Sequence, residues 1–162
     1  MNLSAEMFPK SLLPLFKLFH VDFNPPRQPS RLMLFVATFV AIVGSVAVDV
    51  LLVAIGTRVF PSTKGYVHFR FSDYTKLTVI GVIVACVGWP IVTRLSSTPR
   101  WLFFRLAVLV SVVLFAPDAY LLYRGDSAKA VFVLVWMHVA IAVVTYFSLV
   151  NLAPVPRGRH AR

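Results

Sequence analysis

Three ionisable side chains sit inside otherwise apolar runs of this 162-residue chain: Asp49, Asp118 and His138. Of six acidic residues, only Asp49 and Asp118 fall in such runs, and His138 is the one histidine that does. Carboxylate and imidazole together support three kinds of chemistry. They can pair across helices and fix register. They can pass a proton or cation, because imidazole changes charge near neutral pH. They can ligate a divalent metal, with His68 as a further donor from a loop. The third has no HxxxH, HxxE or CxxC spacing behind it, so no metal is expected. One in-span histidine also excludes a bis-histidine haem within a single chain. No cofactor is expected.

The elements that must position these residues follow from hydropathy. The chain is 59% hydrophobic and 14% charged, with a mean hydropathy of +0.81. An ordinary soluble domain is about 25% charged. A bilayer core of about 30 Å needs roughly 20 helical residues. Four segments meet that length: 32–56, 77–93, 101–123 and 130–152. The expected fold is therefore all-α, an integral membrane four-helix bundle of antiparallel up-down spans. Residues 1–30 form an N-terminal cytoplasmic segment, 31–153 the transmembrane domain, and 154–162 a basic cytoplasmic tail. Residues 7–23, apolar but broken by Pro9 and Pro14 and by Lys10 and Lys17, suit an interfacial position. Residues 1–30 lack the clean apolar stretch of a secretory signal.

Charge orients the spans. With the N-terminus inside, Lys10, Lys17, Arg27, Arg31, Arg94, Arg100, Arg105, Arg157, Arg159 and Arg162 lie inside, ten of the 16 basic residues. Arg58, Lys64, Arg70, Lys76, Arg124 and Lys129 lie outside. The positive-inside rule then places both termini in the cytoplasm of a cell inner membrane. The net charge of +10 is spread over connectors and accompanies no nucleic-acid-binding module, so the bilayer is the expected partner.

Small residues mark the packing faces. Ala37, Ala41, Ser45 and Asp49 recur every four residues. Thr78, Gly81, Ala85 and Gly88 share a face of the second span, as do Ala107, Ser111 and Asp118 of the third and His138, Ala142 and Thr145 of the fourth. With about 1.5 Å of rise per residue, Asp49, Asp118 and His138 fall near one level in the outer half of the bilayer. Asp49 is expected to pair with His138, with Asp118 the next neighbour. Between the first two spans, Val67, Phe69 and Phe71 alternate with His68, Arg70 and Ser72, the period of a half-exposed strand, so a short β-hairpin is expected there. Pro90 predicts a bend or early end to the second span. Asp126 or Ser127 is expected to cap the fourth.

Arg94, Arg100 and Arg105 cluster at the inner ends of the second and third spans. Arg105 can snorkel, and all three suit lipid headgroup phosphates. Trp89, Trp101 and Tyr123 read as interfacial anchors. Tyr120 is a candidate donor to Asp118, and Trp136 is expected to pack. Cys86, alone in an apolar run, reads as an inert thiol.

The run from Thr78 to Asp118, TVIGVIVACVGWPIVTRLSSTPRWLFFRLAVLVSVVLFAPD, together with LVWMHVAIAVV in the fourth span, resembles a small actinobacterial family of four-span membrane proteins of unknown function. The likeness covers most of residues 31–152, and Pro117, Met137 and His138 match its recurring positions. It implies four spans, an outer loop after the first and a short inner loop carrying arginine and proline. It implies no activity, substrate or cofactor.

No catalytic motif is present: there is no GxSxG, HExxH, phosphate-binding loop or dinucleotide fingerprint. The sequence therefore predicts a non-enzymatic structural or accessory membrane component, with a membrane-protein partner or a second copy as companion. The alternative is a small proton-coupled transporter or sensor using Asp49, Asp118 and His138.

Overall fold

The structure, a computed structural model, describes residues 28–155 together with Pro14 and Lys17. The interfacial segment expected at 7–23 and the tail beyond residue 155 lie outside the described residues. Among the described residues, four helices are long and apolar enough to cross a membrane. They are α1 (Arg31–Val59), α2 (Phe71–Leu95), α3 (Pro99–Tyr123) and α4 (Ala128–Leu152). Each of the four expected spans is present, and the chain has the make-up of a multi-pass membrane protein.

Helix boundaries follow local chemistry. Pro99 occupies the first turn of α3, where a missing N–H costs nothing. Gly125, at φ +90°, ends that helix in a left-handed turn and donates its N–H to the Leu122 carbonyl at 3.0 Å. Ser127 stands at the start of α4, but neither it nor Asp126 gives the expected side-chain cap. The Ser127 carbonyl instead accepts from the Val131 N–H at 3.0 Å.

The expected hairpin is replaced by two 3-10 turns, Pro61–Thr63 and Val67–Phe69. A lone two-stranded hairpin in the segment between α1 and α2 would be marginally stable, with no third strand to pair with. Its backbone bonds locally instead: Phe69 N–H to Tyr66 carbonyl at 3.0 Å and Arg70 N–H to Val67 carbonyl at 3.3 Å. The alternation in sequence does not mark one face, since Phe69 is buried while Val67 and Phe71 are exposed. Helix α2 consequently begins at Phe71, six residues before the expected span, with Asp73 in its first turn, where a carboxylate suits the helix dipole. It also runs through Pro90 to Leu95 rather than stopping. Pro90 lies in the last turns, where few intrahelical bonds remain to be lost, and its carbonyl accepts from the Thr93 hydroxyl at 2.9 Å.

Packing centres on α1 and α4, the most extensive helix pair. Ala37, Ala41, Ser45 and Asp49 are fully buried, as their spacing predicts. A methyl built on Gly44 would meet Val144 at 3.0 Å, and one on Gly56 would meet Val133 at 2.7 Å. The expected small-residue face of α2 holds only in part: Thr78 is buried and Ala85 packs on the core, but the two glycines do not. Its buried face is Tyr74, Thr78, Val82, Cys86 and Trp89, while Gly81 and Gly88 border open space. The helix is turned so that Trp89 is enclosed: its indole donates to the Ala153 carbonyl at 3.0 Å, and its ring meets Phe103 edge-on. Trp89 is thus a core residue, not an interfacial anchor. Helix α3 packs mainly on α4 and leaves Leu109, Val112 and Val113 exposed, a surface suited to hydrocarbon.

Two apolar clusters result. One gathers Ala37, Ala41, Val82, Trp89, Phe103 and Leu149 toward the end carrying residues 28–31, 96–98 and 153–155. The other gathers Phe69, Tyr74, Ala130, Val133 and Met137 beneath the 60–70 loop. We call these the far end and the loop end.

The close approach at Gly56 yields a prediction. Gly56→Ala adds helix propensity of about 1 kcal/mol but forces a methyl onto Val133, whose branched side chain is stiff in a helix. Overpacking of this kind costs about 1–3 kcal/mol. Thermal unfolding in detergent micelles should show Gly56→Ala less stable than wild type, Val133→Ala rescuing it, and Gly81→Ala unchanged or more stable.

Candidate functional site

Between the two apolar clusters lies a layer to which every helix contributes one polar side chain. Asp49 of α1 is fully buried, and its Oδ2 accepts a hydrogen bond from the Thr78 hydroxyl of α2 at 2.6 Å. Asp118 of α3 and His138 of α4 face each other, with Nδ1 and Oδ2 3.0 Å apart. The three candidates read from sequence are thereby brought to one region, but the pairing differs from expectation. His138 bonds to Asp118, and Thr78 holds Asp49. Thr78 lies on the same level of the bundle as Asp49 and its hydroxyl is small enough to reach, whereas α3 turns Asp118 directly onto α4. His138 stays within electrostatic reach of Asp49.

Burial divides the layer into a closed half and an open half. Asp49 and Thr78 are enclosed. Across the other pair, side-chain exposure is 5% for Asp118 and 28% for His138, so the imidazole is the most accessible ionisable group of the layer. Phe115 borders its ring edge-on, at a centroid distance of 6.4 Å. From the loop side, His68 lies within electrostatic reach of Asp118 and stacks edge-on against Tyr66 at 5.3 Å. Burial first, then the neighbouring carboxylates of Asp126 and Asp118, push the Tyr66 hydroxyl above its ordinary pKa of 10.0. It therefore remains a protonated phenol, close to Asp126 but without a hydrogen bond of good geometry. The loop thus covers the layer with one imidazole and one neutral phenol.

Several buried oxygens keep free capacity. Asp49 Oδ1, Ser45 Oγ and Thr145 Oγ1 have no hydrogen-bond partner. Elsewhere hydroxyls on these helices bond back to their own backbone, as Thr38 does to Leu34 at 2.8 Å and Ser111 to Ala107 at 2.8 Å. Ser45 precedes Asp49 by one turn, and the contact of Gly44 with Val144 sets Ser45 and Thr145 at one level. The unpartnered oxygens therefore extend from Asp49 toward the far end.

The remaining candidates lie elsewhere. Arg94, Arg100 and Arg105 are all exposed at the far end, and Arg105 stacks over the Trp101 ring at 4.1 Å. Tyr120 points outward beneath Arg124 rather than donating to Asp118. Tyr123 is 87% exposed. Trp136 is half-exposed and meets only the edge of Phe132 among its aromatic neighbours. Cys86 is a buried free thiol. Among the described residues no group of three or more His, Cys, Asp or Glu side chains is placed to hold a metal ion.

Sequence reasoning singled out Thr78 as a small packing residue and missed its role as the donor to Asp49. The available signal was its buried-face spacing opposite a carboxylate that needed a partner.

The pairing is testable by double-mutant cycles on stability in micelles. Contacting groups couple by about 0.5–3 kcal/mol. Asp118→Ala with His138→Ala should show coupling in that range, and Asp49→Ala with His138→Ala markedly less. Thr78→Val, which strips Asp49 of its donor, should destabilise by about 1–3 kcal/mol.

No family model matches the chain, and neither a curated protein nor a solved structure matches it.

Proposed function

We propose that this protein is a non-enzymatic accessory component of the cell inner membrane whose polar layer responds to protons, a small sensor rather than a catalyst. The observation that carries this reading is the Asp118–His138 pair. Its two groups bond at 3.0 Å within an apolar bundle, yet the imidazole retains 28% exposure. A buried ionisable pair with one open member can take up a proton from outside and change the attraction between two helices. Helix α3 is held mainly by α4, so this attraction bears on its position.

In the same reading the four spans run antiparallel and both termini are cytoplasmic. The first is supported by contacts joining Gly44 to Val144 and Gly56 to Val133. The second is supported by the ten-to-six division of basic residues along the sequence and the positive-inside rule. The exposed side of α3 is then covered by lipid, a second copy or a membrane partner. Arg94, Arg100 and Arg105 meet inner-leaflet headgroups. The resemblance to the actinobacterial four-span family is part of this proposal, and the site gives its positions a role: Met137 is buried, Pro117 precedes Asp118, and His138 is its partner.

A second reading, a proton-coupled transporter, is favoured by one observation. The unpartnered oxygens of Asp49, Ser45 and Thr145 continue inward from the pair. It requires proton movement across the bilayer, whereas a sensor does not.

The test uses Trp136, half-exposed and two residues from His138, as a fluorescence reporter in reconstituted vesicles. Acidification from about pH 8 to 5 should change the emission of wild type. His138→Gln should abolish the change and Asp118→Asn should remove at least about half of it, while both variants remain folded. An unaltered response in His138→Gln would refute the proposal. Proton flux into the vesicles would move the conclusion to the transporter. Tags at each terminus, probed in intact cells and in open membranes, should both be protected only in intact cells.

A further inference from the structure

A second feature lies at the far end, away from the polar layer. Helices α1 and α2 enclose a cavity of about 430 Å³, open along one side and walled by Leu34, Ile83, Val87, Pro90 and Ile91, with Arg94 at its end. The remaining lining is Thr38 and Cys86. Thr38 turns its hydroxyl to the Leu34 carbonyl at 2.8 Å, so it offers the groove little beyond its methyl. Pro90 adds a ring where other residues would carry an N–H. The groove is therefore almost wholly hydrocarbon, with one cation at its mouth.

We propose that this groove holds one acyl chain of an anionic phospholipid, with the lipid phosphate on Arg94. Size and charge both support this occupant. From Ile83 to Arg94 the wall runs about 16 Å along the helix, given about 1.5 Å per residue. At about 30 Å³ per small group, the volume of a liquid water, the cavity admits roughly 14 methylenes, close to one chain. Charge at this end is unbalanced. Asp49, Asp73, Asp118 and Asp126 all lie toward the loop end, and Arg94 has no carboxylate partner among the described residues. Arg105 differs, because its guanidinium is stacked on Trp101. Arg94 alone lies where a phosphate can bind it while the attached chain enters hydrocarbon. The inference rests on the reading that these helices span a bilayer with the far end at the inner leaflet.

The experiment is native mass spectrometry of the full chain in an uncharged maltoside detergent, with phosphatidylglycerol and phosphatidylcholine of matched chain length. Wild type should retain one phosphatidylglycerol, about fivefold in preference to phosphatidylcholine, the factor expected of one arginine facing a net anionic headgroup instead of one whose phosphate is balanced by choline. Arg94→Gln should erase that preference, and Arg100→Gln should keep it. Val87→Trp, which fills the groove, should abolish retention of both lipids. Ile91→Trp fills the same space should Val87→Trp fail to fold. The proposal is overturned if Arg94→Gln keeps the preference, if a filled groove still retains lipid, if inorganic phosphate alone displaces the lipid, or if the groove is occupied by a second copy of the chain. Alkaline carbonate washing of membranes separates the two levels of the claim. A chain that stays in the membrane but retains no lipid overturns only this inference. A chain that washes off overturns the membrane reading as well.

Discussion

A carboxylate buried among hydrocarbon side chains must find a donor, and this demand governs how the four helices are arranged. Asp49 and Asp118 both sit inside the bundle, at 0% and 3% exposure. Even on a lenient scale a charged aspartate at the centre of a membrane helix costs about 2.5–3.5 kcal/mol. Neither can be satisfied by its own helix, whose backbone N–H groups around these positions are taken up by the helix itself. Asp49 therefore ties α1 to α2 through Thr78, and Asp118 ties α3 to α4 through His138. The close-packed α1–α4 interface joins the two tied pairs. Turning any of these helices by one residue, about 100°, would carry a polar group out of the layer and into apolar surroundings.

The layer also divides the molecule chemically. Toward the loop end lie the carboxylates outside the layer among the described residues, Asp73 and Asp126, and the loop rings of Tyr66 and His68. Toward the far end lie Arg94, Arg100 and Arg105, the buried indole of Trp89 bonded to Ala153, and the groove between α1 and α2. A proton arriving at His138 and a phosphate arriving at Arg94 would act on opposite ends of helices joined by one core. Helix α2 belongs to both: Thr78 holds Asp49 near its start, and Arg94 closes the groove near its end.

The four spans were legible in sequence because their signal is local and redundant. Some twenty apolar residues in succession have few alternatives, and the α1 face of Ala37, Ala41, Ser45 and Asp49 repeats at the helical period. The level of Asp49, Asp118 and His138 was legible for the same reason, since rise per residue is nearly constant. The partners were not. Depth put Asp49 first as the partner of His138, whereas the structure gives His138 to Asp118, because the choice depends on helix rotation. That rotation is fixed on α2 by the enclosure of Trp89, a single bulky contact that a stripe of glycines gave no hint of. The 66–74 segment misled in the opposite way. Its alternation was real, but a strand needs a partner, and short-range bonds between Tyr66 and Arg70 were the nearer alternative.

The amino-acid sequence by itself determined that this chain has four apolar helices, that both carboxylates of the spans and one histidine share a level, and that ten of the 16 basic residues fall at the two termini and around the connector between the second and third helices. These properties depend on composition and on distances along one helix, which no neighbour alters. Only the tertiary structure decided which donor each carboxylate received, which residues of α2 faced inward, and that an apolar groove ends at Arg94. Those outcomes depend on the rotation and spacing of helices against one another, set by contacts between residues far apart in the chain.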